Sequence, residues 1–324
     1  MYLDENGRKV TDLVALERIR SLVIPPAWND VWVCSDPLGH IQAVGTDAKG
    51  RKQYRYHDHW RMRRDQEKFD HMLEFARSLS ALRRTSAKHM RREEMDRERV
   101  LGCAARLLDL GFFRIGSEDY AEQNQTYGLA TILKEHTKIS GRLVTFDYVA
   151  KGGKQRVQSV ADPAVVAILA TLKRRRGGGP ELLAYKQQGR WLDVRSGDIN
   201  AYIKEVTGGD FSAKDFRTWN ATVLTAVALA VSHRAETKTA RKSAVSRAIA
   251  EAAHYLGNTP AVCRASYVDP RVIDRYFAGV TIAPAVAAIG AGTPDGSLPI
   301  HGPIEKAVID LLEDAPQPRT EKAA

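Results

Sequence analysis

"LGNTPAVCRASYVDP", residues Leu256–Pro270, closes a long Ala-rich helical pattern and opens a short second one. Gly257 is a plausible helix stop and Thr259 a plausible N-cap. Pro260 fits the first helical position, where the ring presets φ and the missing N–H has no partner to lose. This local chemistry puts Tyr267 nine residues after Asn258, about two turns into a short helix. No apolar periodicity asks for a tyrosine there. A phenol can be a core ring, a stacking platform or a nucleophile, and the rest of the chain has to decide.

Working outward, helical patterns run from about 212 to 280, with "ATVLTAVALAV" (221–231) as a core helix. Upstream, helical spacing begins at about 65, and in "RREEMDRERVLGCAARLLDLGFF" (91–113) Gly111 or Gly116 is the expected cap. "GRLVTFDYVAKGGKQRVQSV" (141–160) has two alternating arms around Lys151-Gly152-Gly153-Lys154 and predicts a β-hairpin. "KRRRGGGP" (173–180) predicts an exposed, solvated linker.

The first 75 residues have a different texture. "LERIRSLVIPPAW" (16–28) is a short helix halted by Pro25-Pro26. "DVWVCSDPLGHIQAVGTDAKGRKQYRYH" (30–57) alternates apolar and polar residues, and turn signals at 36–39 and 47–50 divide it into about three antiparallel strands. The fold class is therefore α+β. A small N-terminal antiparallel-sheet domain (1–75) precedes a larger, mainly α-helical domain with a short sheet (76–314) and a flexible tail (315–324).

The 324 residues carry 49 Lys+Arg against 39 Asp+Glu, a net charge of +10, which points to an anionic partner such as nucleic acid. Cys34, Cys103 and Cys263 lack metal-ligand spacing and read as small buried hydrophobes in a reducing compartment. No run approaches the roughly 18 apolar residues that span a bilayer, and the N-terminus has no signal-peptide pattern. A soluble, intracellular protein is expected. Phosphate-cradling loops, dinucleotide fingerprints, H-E-x-x-H and G-x-S-x-G are all missing, so neither ATP nor metal chemistry is expected.

Three basic residues sit in unusual places. Arg114 lies between Phe113 and Ile115, where it is either snorkelling from a helix end or part of a site. Lys151 is at the hairpin tip, where a lysine is also ordinary surface. Arg217, in "SAKDFRTWNATV" (212–223), opens a helix rich in Ala and Val, and an interior charge there calls for an anionic partner.

Taken together, in the order Arg114, Lys151, Arg217, Asn258, Tyr267, these residues resemble the catalytic set of type IB DNA topoisomerases, in the compact poxvirus-like and bacterial branch. The resemblance covers nearly the whole chain through "GRKQYRYH" (50–57), "FFRIGSEDYAEQNQTYGLATI" (112–132), "YVAKGGK" (148–154), "KDFRTW" (214–219) and the opening stretch. It implies the topoisomerase/tyrosine-recombinase catalytic fold and supercoil relaxation through a 3′-phosphotyrosyl intermediate, with no cofactor and no metal. Tyr267 is then the nucleophile, and Arg114 and Arg217 hold the non-bridging phosphate oxygens through planar N–H forks. Lys151 is the proton donor to the departing 5′-oxygen, with Lys154 as its competitor. Many family members have histidine where this chain has Asn258, and an amide can donate a hydrogen bond but carries no proton at neutral pH.

The resemblance also implies contacts to double-stranded DNA from Arg51, Lys52, Gln53, Tyr54, Arg55, Tyr56, Tyr120, Lys154 and Lys214. Tyr54 and Tyr56 share one strand face, with one of the pair alternatively serving the small domain's core. Tyr120 matches a DNA-contacting tyrosine of the viral enzymes, but Ser117 and Asp119 stand where those enzymes carry lysines. A monomer clamping around duplex DNA, with no membrane partner, in a bacterial cytoplasm or nucleoid is the expected setting. A tyrosine recombinase is the main rival. Against it stand Lys214-Asp215-Phe216-Arg217 in place of H-x-x-R and the β-rich N-terminal module. A non-enzymatic architectural DNA-binding protein is a third reading, supported by charge.

Overall fold

The computed structural model describes residues 2–233, 236–290 and 301–313, apart from the side chains at 119, 120 and 290. The expected tail at 315–324 lies outside the described residues. The chain divides into two compact units, Met1–His71 and Met72–Ala324.

In the first unit, helix α1 (Leu13–Ser21) starts at Asp12, whose carboxylate accepts the amides of Val14 and Ala15. It is followed by β1 (Asn29–Val33), β2 (Ile41–Thr46) and β3 (Lys52–Tyr56), an antiparallel sheet in the order β1-β2-β3 with Val44 opposite Tyr54. The three expected strands and both turns are present. Buried Gln42 organises the first turn, donating to the carbonyls of Asp36 (3.1 Å), Pro37 (3.1 Å) and Gly39 (2.7 Å). Cys34 is half-buried, unlike the fully buried Cys103 and Cys263. Helix α2 (Asp58–Met90) begins seven residues earlier than its apolar spacing indicates. Its first turns are carried by exposed charge pairs, Arg63 and Arg64 to Glu67 at 3.0 and 3.1 Å, which leave no hydrophobic signature.

The second unit is mainly helical around a short sheet. Helix α3 (Arg97–Gly111) is capped at its start by Asp96, which accepts the Arg99 amide. Its end differs from expectation: Gly111 is the last helical residue, and Phe112 takes the left-handed conformation, φ 53°. The glycine is needed for space, since a Cβ at Gly111 would lie 2.1 Å from the Phe113 ring. After α4 (Glu118–Asn124) come β4 (Thr137–Ser140), β5 (Leu143–Ala150) and β6 (Lys154–Val160), antiparallel in the order β4-β5-β6. The β5–β6 pair is the expected hairpin, with Ala150 opposite Lys154.

Helix α5 (Pro163–Arg174) leads to a two-stranded ribbon, β7 (Ala184–Gln187) and β8 (Arg190–Asp193). The basic run between them is not simply solvated. Arg175 is buried and donates to the carbonyls of Leu172 and Leu182 at 3.0 and 2.9 Å, folding the glycines back around its guanidinium. Helices α6 (Ser196–Thr207), α7 (Ala213–Val231), α8 (Lys238–Leu256), α9 (Pro260–Ser266), α10 (Pro270–Phe277), α11 (Ala283–Gly290) and α12 (Pro303–Glu313) complete the unit.

Helix α7 is central, packing against α8, α10, α11 and α12, with Phe216 and Trp219 fully buried. A buried polar network fixes α12 to it. Arg83 pairs with Asp109 at 2.7 Å and with Glu305 at 2.6 Å, and the Trp219 indole donates to Glu305 at 2.8 Å.

Candidate active site

Helix α8 ends at Gly257, the expected stop, in a Schellman motif. The amides of Gly257 and Asn258 return to the carbonyls of His254 (3.1 Å) and Ala253 (2.9 Å), with Gly257 at φ 65°. Thr259 then caps α9 by accepting the Val262 amide, and Pro260 is the first helical residue. Carbonyls of this helix end are also held by three guanidiniums from other parts of the chain. Arg156 on β6 donates to His254 (3.0 Å) and Tyr255 (2.6 Å). Arg217 on α7 donates to Leu256 (2.9 Å) and also to Phe112 (3.0 Å), the left-handed residue after α3. Arg114, just past α3, reaches the Gly257 carbonyl at 3.4 Å and donates to Asn258 Oδ1. The carbonyl end of a helix carries partial negative charge, so it attracts and orients cations.

Arg217 is 5 % exposed, but its partners are neutral carbonyls, not the anion that its burial suggests from sequence. Oriented dipoles accept from both of its terminal nitrogens without cancelling its charge. Burial, joined by the nearby Arg114, lowers its pKa to about 10, which leaves it a cation at neutral pH. Arg217 Nε and Asn258 Nδ2 are buried with no hydrogen-bond partner among the described residues.

Tyr267 is the first residue beyond α9, not a residue inside it, and its amide still bonds to the Cys263 carbonyl. Its own carbonyl accepts from the Thr222 hydroxyl at 3.2 Å, and that oxygen in turn accepts the Asp269 amide at 3.2 Å. Helix α7 therefore holds the tyrosine segment and also supplies Arg217, whose guanidinium carbon lies 5.2 Å from the Tyr267 ring centroid. Burial acts to raise the phenol's pKa, but the charges of Arg217, Arg114 and Lys214 outweigh it and the net shift is downward.

One cavity of about 310 Å³ is lined by Arg114, Lys151, Lys214, Arg217 and Tyr267, with Tyr127 among its walls. An acidic phenol facing several cations in one open cavity can receive a phosphodiester and attack it. Asn258 adjoins this group through Arg114. Lys154 instead borders a small void beside it, with Arg156 and Gly257. Among the described residues no group of three or more His, Cys, Asp or Glu side chains is placed to hold a metal ion, and no helix is long and apolar enough to cross a membrane.

The other sequence-predicted contacts lie in the first unit or on α4. Tyr54 is 45 % exposed and stacks on Tyr56 at 6.1 Å, and Tyr56 stacks on Trp60 at 4.4 Å, so the two tyrosines do share a face. Arg51 and Gln53 both bond to Asp47 Oδ2, at 2.7 and 2.9 Å, while Lys52 is exposed and Arg55 half-buried. Tyr120 falls on α4, and its side chain lies outside the described residues. Arg156 and Thr222 were not singled out in the sequence. Arg156 looks like an ordinary polar position in an alternating strand, and Thr222 like a spacer in an apolar helix.

A fold with a small β-rich first unit and this basic, tyrosine-bearing site defines a class. Residues 57–277 match the family described as eukaryotic DNA topoisomerase I, catalytic core, and residues 1–47 match the bacterial DNA topoisomerase IB N-terminal domain. The chain belongs to the type IB DNA topoisomerase family, as the five sequence blocks indicate. It is 32 % identical over 281 residues to DNA topoisomerase 1B of Acanthamoeba polyphaga mimivirus, covering 85 % of this chain and 83 % of that one. DNA topoisomerase 1B of vaccinia virus is 26 % identical over 147 residues, 43 % of this chain and 46 % of its own. DNA topoisomerase 1 of Schizosaccharomyces pombe is 29 % identical over 132 residues, 40 % of this chain and 15 % of its own.

Proposed function

We propose that this topoisomerase relaxes supercoiled duplex DNA by cutting and resealing one strand through a 3′-phosphotyrosyl link, without ATP or metal. The observation that carries the reading is the placement of the Tyr267 phenol, with its lowered pKa, in one cavity with Arg114, Arg217 and Lys151. The Tyr267 phenol releases its proton to water and its oxygen attacks phosphorus, and the bond to the 5′-oxygen breaks. Arg114 and Arg217 stabilise the charge on the non-bridging oxygens, and Asn258 Nδ2 donates one further hydrogen bond. Lys151 delivers a proton to the 5′-oxygen, which leaves as a hydroxyl. Rejoining runs the same steps backwards. One phosphodiester is exchanged for another, so no external energy source is required.

The stacked Tyr54 and Tyr56, together with Lys52, Arg55 and Lys214, contact the duplex, mainly at its phosphates, and added salt weakens that binding. The protein acts as a monomer in a bacterial cytoplasm; the match to the bacterial N-terminal domain supports that setting. The test is relaxation of positively and negatively supercoiled plasmid in EDTA without nucleotide, with Tyr267→Phe as control. Relaxation by the native chain, and retained binding without covalent adduct in the variant, is the expected result. A strict need for magnesium or ATP, or normal adduct formation by Tyr267→Phe, overturns it.

A further inference from the structure

We propose that Arg156 is a positioning residue that joins the Lys151 hairpin to the Asn258 turn and so sets the proton donor against the phosphate-binding groups. Its importance for catalysis rests on the reading of Lys151 given above. Arg156 is on β6, five residues after Lys151, in a strand whose pairing with β5 carries the hairpin. Its two terminal nitrogens donate to successive carbonyls in the last turn of α8, at His254 (3.0 Å) and Tyr255 (2.6 Å). A planar fork can make both bonds from one rotamer, and a lysine ammonium cannot reproduce that geometry. Its stem also lies over the turn: a Cβ at Gly257 would stand 3.3 Å from Arg156 Cδ and Nη1.

Lys151, Lys154 and Arg156 border one small void with Arg114, Leu256 and Gly257, so hairpin and turn meet there. The hairpin tip is otherwise glycine, with Gly152 at φ 83° and Gly153 at φ 71°, and neither meets another atom within 4 Å of its Cβ position. The Gly153 amide closes the tip on the Ala150 carbonyl at 3.0 Å, a bond internal to the hairpin. The Arg156 fork lies close to the tip and anchors it to the part of the site that also presents Asn258.

The experiment is single-turnover cleavage of DNA carrying oxygen or sulfur at the 5′-bridging position by Arg156→Met, Arg156→Lys and Lys151→Ala. Amide hydrogen exchange is measured on the hairpin and on residues 254–258 of the same proteins. Displacing the donor by an ångström costs about 10²-fold, so Arg156→Met should be slowed on that scale with the oxygen leaving group. It should recover most of its rate with sulfur, which leaves without a proton, as Lys151→Ala should, and Arg156→Lys should fall between it and the native rate. Hairpin and turn should both exchange faster in Arg156→Met, while non-covalent DNA binding and helix content stay native. Native exchange in Arg156→Met overturns the proposal, and so does an equal slowing on both leaving groups while Lys151→Ala is rescued. If Lys151→Ala itself is not rescued, the proton-donor reading of Lys151 fails. The bridging role of Arg156 is then decided by the exchange measurement alone, faster exchange upholding it.

Discussion

The amide of Asn258 has only one orientation consistent with its neighbour. Arg114 can donate but not accept, so the oxygen it bonds is Oδ1, and Nδ2 is left as a buried donor with no partner among the described residues. On the proposed mechanism this N–H meets a phosphate oxygen as charge develops there. Asn258→Ala removes one such donor and should slow cleavage by about 10²–10³-fold. Asn258→Asp is nearly isosteric and keeps the bond to Arg114, so a purely structural role predicts a mild effect. The catalytic reading predicts the reverse, because the donor is lost and a carboxylate now faces the phosphate. Two like charges about 5 Å apart at an effective dielectric of about 20 repel by about 3 kcal/mol, a further factor of about 10². Pairing with Arg114 offsets part of that, so Asn258→Asp should fall at or below Asn258→Ala. Asn258→His, which retains an N–H, should keep substantial activity. The assay follows covalent adduct in a single turnover, on a duplex whose released fragment is too short to rejoin. Binding is measured separately in a Tyr267→Phe background. An aspartate variant faster than the alanine variant, or an alanine variant at the native rate, would refute the donor role.

Two predictions concern pH. Burial raises the Tyr267 phenol but Arg217, Arg114 and Lys214 together lower it below its ordinary value of 10.0, so single-turnover cleavage should rise with pH and level off below that value. Lys214→Ala should move the inflection upward, and an unmoved profile removes Lys214 from the field acting on the phenol. Burial likewise acts to raise the Glu305 carboxyl, but Arg83, His301 and Trp219 hold it well below its ordinary 4.5. A depressed folded-state value gives stability that is fully present above the unfolded value and is lost as pH falls through the folded one. The melting temperature should therefore drop on acidification below about pH 4.5, and Glu305→Gln should start lower at neutral pH but lose less on acidification. Parallel curves for the two proteins would contradict the network's role.

What was legible in the sequence was local. The Gly257 stop, the Thr259 cap and the Pro260 start depend on backbone conformation and one or two neighbouring amides, and all three are as read. The β5–β6 hairpin follows from alternation around two glycines in the same way. The end of α3 was not legible, because Phe112 adopts its left-handed conformation where Arg217, 105 residues away, bonds its carbonyl. The burial of Arg175 is missed for another reason: its acceptors, Leu172 and Leu182, are close in the chain, but a run of four basic residues looks solvated until the loop closes its carbonyls around one of them. Strands β4, β7 and β8, four residues each, are too short to show a period. For the site, residue identities came from the family resemblance. The carbonyl grip on its arginines could not, since backbone acceptors leave no mark in a sequence.

That grip separates two kinds of arginine in this protein. Arg83, Arg106 and Arg271 are paired with carboxylates, Asp109 and Glu305, Asp162, and Asp269 respectively. Arg114, Arg156 and Arg217 take carbonyls at the end of α8, and Arg114 an amide oxygen as well. A carboxylate partner would orient a guanidinium equally well, but it would also cancel the charge and compete with a phosphate for the same N–H groups. A carbonyl fixes the side chain and leaves the full charge in place. The consequence is the concentration of like charge seen at Arg217, whose pKa is lowered by burial and by Arg114 to about 10. That value still lies about three units above neutrality, so the guanidinium stays protonated and the repulsion is not relieved by losing a proton. On the proposed mechanism an entering phosphodiester relieves it instead. The same field lowers the pKa of the Tyr267 phenol, so on the proposed mechanism a single arrangement of dipoles and cations both attracts the anionic substrate and readies the nucleophile.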